Sequence, residues 1–146
     1  MDRRTRIFLV ICLVAFCASF LVQTLFPFLG AHKSVWGGNP GWQREVAFWN
    51  AGLAVIVVLA LRLDDARTAL AVAAGCTVLF FLLGTNHLFA FFDNPRAQFH
   101  WPALVFNYIG LAAGARLLLT SRDVPVLLAD RRGLARASTN ARDRLT

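Results

Sequence analysis

The chain has 146 residues, 58% of them hydrophobic and 16% charged, with 13 Phe, 4 Trp and a formal net charge of +7. That balance allows one domain and excludes an ordinary water-soluble fold. The positive charge would point to nucleic acid or an acidic partner in a soluble protein. Here it is gathered at the ends of apolar runs, where it sets membrane orientation and argues against nucleic acid.

Arg3, Arg4 and Arg6 stand directly before a first apolar run, residues 7–29. This is the pattern of a signal peptide or of a retained signal anchor. Length favours the anchor, because a signal core is typically ~7–15 residues. Residues 30–43 read as a loop, since Gly37-Gly38-Asn39-Pro40-Gly41 cannot hold a helix, and Trp36 and Trp42 suit a membrane–water boundary. A second span is expected over 44–61, apolar apart from Glu45 and Asn50.

The charged run 62–67 then makes a short turn, so spans two and three should be antiparallel neighbours. Its Asp64-Asp65-Ala66-Arg67 is similar to the opening of the CDP-alcohol phosphotransferase signature. That signature needs further aspartates along the following helix, and positions through Phe92 contain none. Residues 68–92 form the third span, free of formal charge, with Asn86 and His87 near its outer end. At ~1.5 Å per residue it exceeds a hydrocarbon core of ~30 Å. Asp93-Asn94-Pro95 is a turn signal, and His100 and Trp101 are placed in the loop that follows.

Pro102 fits the first turn of a fourth span, 102–119. Within it Gly110 and Gly114 share a close-packing face with Ala103 and Asn107, and the spacing leaves open whether the partner helix belongs to this chain or to another. The polar tail 120–146, with a short surface helix expected after Pro125, is rich in arginine and suited to anionic lipid. Cys12, Cys17 and Cys76 all lie in apolar runs without metal-ligand spacing and read as packing residues.

The expected fold is therefore all-α: an integral membrane four-helix up-down bundle over 1–119, followed by a basic cytoplasmic tail. Twelve of the 15 Lys and Arg fall at the N-terminus, the 62–67 turn and the tail, against Lys33, Arg44 and Arg96 on the other side. The positive-inside rule then puts both termini in the cytoplasm.

On that topology Asn50 lies five residues inside Glu45, His87 five inside Phe92 and Asn107 six inside Trp101, each ~7–9 Å. Gln23 lies near the outer end of the first span. Polar groups in hydrocarbon are costly unless satisfied, so Glu45, Asn50, Asn86, His87 and Asn107 are expected to converge in the outer third of the bundle, with Glu45 able to approach His87. Such a layer serves either as interhelical glue or as a site for a small polar or quinone-like headgroup. Only His87 lies within an expected span, which gives little basis for haem or metal, and no cofactor is assigned.

Four short spans, Glu45-x-x-x-x-Asn50 opening the second and Asn86-His87 closing the third, resemble the small bacterial integral membrane proteins of DoxX-like type. The likeness runs over roughly 7–119. It implies the bacterial inner membrane and, by analogy with some members, redox chemistry with thiol or sulfur donors and quinone. It carries over no catalytic residue. Two functional expectations follow: a non-enzymatic membrane component or accessory subunit, with a membrane partner or a second copy, and alternatively a DoxX-like redox or small-ligand-binding protein.

Overall fold

A computed structural model describes residues 1–29, 34–96 and 99–121. The basic tail, including the surface helix expected after Pro125, lies outside the described residues. Among the described residues the fold is all-α: α1 (Arg3–Leu25), α2 (Pro40–Leu63), α3 (Ala66–Asp93) and α4 (His100–Thr120). All four helices are long and apolar enough to cross a membrane.

Each helix begins earlier than its apolar run, and local chemistry supplies the reason. Asp2 accepts from the Thr5 backbone N–H and from Thr5 Oγ1 at 2.8 and 2.9 Å, which draws α1 back to Arg3. Asp65 does the same for Thr68 at 2.7 and 2.8 Å, and α3 begins at Ala66. Asn39 accepts from the Trp42 N–H at 3.1 Å, and Pro40 takes the first helical position, where its missing N–H costs nothing. The glycine-rich stretch thus does hold the first turn of α2, contrary to expectation. At the other end of α1, Pro27 cannot continue the helix, which stops at Leu25 and falls short of residue 29.

Successive helices run antiparallel. Arg6 Nη2, near the start of α1, reaches Asp64 Oδ1 at the end of α2 over 2.8 Å. Asp64 itself closes α2 in the left-handed region at φ 52°, a conformation that Asp tolerates better than most side chains. The chain therefore has a turn end, around Asp64 and Asp65, and a loop end that carries the two longer connections. Packing is most extensive within the pairs α1/α2 and α3/α4. The core lies where α1 meets the others and is built from Phe8, Leu9, Cys12 and Phe16 of α1, Val57 and Ala60 of α2, Ala69, Ala73 and Cys76 of α3, and Leu117 of α4.

Candidate functional site

The loop end is organised by His100. Pro102 is tolerated anywhere in a first helical turn, and α4 starts at His100, two residues earlier than expected. The ring is not in a loop at the interface: it is fully buried, at 0% exposure. A buried imidazole must spend its nitrogens on partners, and this one does so in two directions. The Val35 backbone N–H donates to Nε2 at 3.1 Å, and Ser34 Oγ lies 3.3 Å from the same atom. Nε2 is then the acceptor and the proton sits on Nδ1. Nδ1–H faces His87 Nδ1 at 3.1 Å, so His87 accepts there and carries its own proton on Nε2.

One hydrogen-bonded chain thereby links the 34–36 segment, α4 and α3 with a fixed polarity. A proton added to either ring would set two donors face to face. Trp36 lies against both rings, with centroids 4.5 Å from His100 and 5.0 Å from His87, and its own edge meets Trp42 at 6.2 Å. The Trp36 N–H also donates to Ser34 Oγ at 3.1 Å.

The five residues expected to converge are distributed differently. His87 bonds to His100 and not to Glu45, which is exposed on α2. Asn86 is exposed on α3. The half-buried Asn50 and Asn107 donate to carbonyls one turn back on their own helices, Val46 at 2.9 Å and Ala103 at 2.7 Å. Gln23 likewise donates to Ser19 Oγ at 2.8 Å, while its Oε1 and Thr85 Oγ1 are buried without a partner among the described residues. The i−4 carbonyl lies close to a short amide side chain on a helix, and for Asn50 and Asn107 that local bond gives the amide N–H a partner without a second helix.

Gly110 and Gly114 face α3. A Cβ on Gly110 would come within 2.8 Å of Phe80 Cδ2; one on Gly114 would run into Thr77 Oγ1 and stand 2.9 Å from Phe8 Cζ. Gly84, one turn below His87 on α3, sits in the same seam against Asn107 and Tyr108. The seam aligns α3 and α4 so that His87 and His100 meet at its upper end.

The turn end is polar for a structural reason. The backbone and hydroxyl bonds from Thr5 hold the Asp2 carboxyl below its ordinary pKa, and those from Thr68 do the same for Asp65. A carboxyl depressed in the folded state stabilises above its unfolded value of ~4, and that contribution is lost as pH falls through the folded value. Asp64 is taken up by Arg6.

Among the described residues no group of three or more His, Cys, Asp or Glu could hold a metal ion. The two imidazoles under Trp36 are joined directly by a hydrogen bond at the loop end, and the capping aspartates Asp2 and Asp65, which extend α1 and α3, are the signal that a reading by apolar runs passes over. No family model matches the chain, and no curated protein or solved structure matches it.

Proposed function

We propose that this chain is an integral, multi-pass protein of a bacterial cytoplasmic membrane, with both termini inside, acting as a non-enzymatic accessory component of a membrane assembly. The observation that carries the reading is the distribution of apolar surface. Large hydrophobic side chains stand exposed around all four helices, among them Val14, Val55, Phe81 and Phe106, the last at 73%. In water such a surface would be a severe liability; in lipid it is the natural exterior. In this reading the His87–His100 chain is a latch: it fixes the outer connection over the α3/α4 hairpin and leaves the apolar faces free to meet lipid or a partner helix.

Purification from membranes in mild detergent tests the accessory role. A stoichiometric protein partner that stays bound to His87→Gln as it does to the natural chain is the expected result. The second reading, a redox or small-ligand site, is favoured by the packing of Trp36 against two imidazoles, tilted at 42° to His87 and edge-on at 68° to His100, which gathers aromatic surface and titratable nitrogens at one place. It predicts an extractable quinone or pigment with its own absorbance, lost in His87→Gln while the protein remains inserted.

A further inference from the structure

On the free face of α2, Gly52 interrupts a ridge of large side chains. Phe48 and Trp49 rise on one side of the gap at 65% and 69% exposure, Leu53 and Ile56 bound the other, and the notch measures about 360 Å³. A Cβ built on Gly52 would meet nothing within 4 Å, so no neighbouring helix uses this glycine for close approach. Glu45 lines the loop end of the notch and is its one ionisable wall. It makes no ion pair among the described residues. From Glu45 to Ile56 the helix rises ~16 Å, about half the thickness of a bilayer's hydrocarbon. The notch thus has the depth of a single leaflet, a carboxylate where headgroups begin, and an apolar bed where an acyl chain would lie.

We propose that this notch binds one outer-leaflet lipid whose headgroup carries a primary ammonium, with the ammonium on Glu45 and an acyl chain against Gly52. The assignment rests on the bilayer reading given above. A primary ammonium supplies three N–H donors to a carboxylate and forms short, charge-assisted bonds. A trimethylated ammonium offers charge without donors, and a headgroup with only a phosphate brings like charge to Glu45. The chemistry therefore ranks lipids by headgroup, while the notch retains them by chain.

The full chain, reconstituted in vesicles of equal parts phosphatidylethanolamine, phosphatidylcholine and phosphatidylglycerol and then released for native mass spectrometry, tests both parts. The expected result is one retained lipid per chain, enriched in phosphatidylethanolamine. Glu45→Gln keeps the retained lipid but loses the headgroup preference, a fall of about tenfold. Gly52→Leu fills the notch and releases the lipid; its Cβ has nothing within 4 Å on this exposed face and leucine improves helix propensity, so the fold is kept. Retention in bulk proportions by the natural chain, an unchanged preference in Glu45→Gln, or undiminished retention by Gly52→Leu would each overturn the proposal. Recovery of the natural chain outside the membrane fraction, read before any lipid is weighed, would remove the bilayer reading and the proposal with it.

Discussion

His100 holds its place through two bonds of opposite sense, and the two histidines should therefore respond unequally to substitution. Replacing His100 by Phe keeps an aromatic ring beneath Trp36 but leaves the Val35 N–H and His87 Nδ1 without partners. Stranding buried polar groups costs ~1–3 kcal/mol each. His87→Gln instead retains an acceptor, since an amide oxygen can receive His100 Nδ1–H, and such interhelical bonds average ~0.6 kcal/mol. Unfolding in detergent should show His100→Phe as the costlier change. It should also open the 34–39 connection to protease, which His87→Gln should not. Equal costs for the two variants would mean that the polarity of the chain is misassigned. At this scale the sequence was only half legible. The types of the polar residues and the helices that carry Asn50, His87 and Asn107 could be read, but their partners could not, because Asn50 and Asn107 bond locally and a buried histidine two residues before Pro102 looks the same on paper as one in a loop.

Among the elements, α3 and α4 pack through a seam whose tightness varies along its length, and the glycines report it. Gly114 is closed in by Thr77, Phe8 and the helix it faces, and Thr77 is itself held by a 2.7 Å bond to the Ala73 carbonyl. Adding a methyl there should cost ~1–3 kcal/mol, the usual range for overpacking. Gly110 meets the edge of the Phe80 ring, which can tilt, so alanine at 110 should cost less. Gly84, with its nearest contacts at 3.3 Å, should cost less again. Gly75 on the same helix α3 has nothing within 4 Å, and alanine there should stabilise by up to ~1 kcal/mol through propensity. Thermal unfolding of the four alanine variants in one detergent checks the order, and a Gly114→Ala protein as stable as Gly75→Ala would contradict the seam. The elements themselves were largely legible, because an apolar run of such length in lipid must satisfy its own backbone, and a helix does so within the segment. Their ends were not. They are set by single caps, Asp2, Asn39 and Asp65, and by Pro27, residues whose polarity or ring lowers the score of any hydropathy window that includes them.

For the molecule as a whole, the orientation proposed above rests on where charge stands relative to the two ends of the bundle. The turn end collects Arg3, Arg4, Arg6, Arg62 and Arg67, whereas Arg44, near the start of α2, and Arg96 stand at the loop end, and Lys33 falls between α1 and α2 in the sequence. Arginine near a membrane is held on the cytoplasmic side, and five against three is already a bias before the seven arginines from Arg116 to Arg144 are added. The pairing of Arg6 with Asp64 fixes the start of α1 beside the α2–α3 turn, so those segments must lie on the same side of any membrane the helices cross. Ser34 and Arg96 flank the loop end and must lie together on the other. Single cysteines placed at Ser34, Asp64, Arg96 and Ser138, in a chain whose native cysteines are replaced by alanine, make this a direct measurement. A membrane-impermeant thiol reagent added to intact cells should label positions 34 and 96, and should reach 64 and 138 only after the cells are opened. Labelling at 64 together with 138 in intact cells would invert the orientation. Labelling at 64 together with 34 would put both ends of α2 on one side of the membrane, and the four-span arrangement itself would fall.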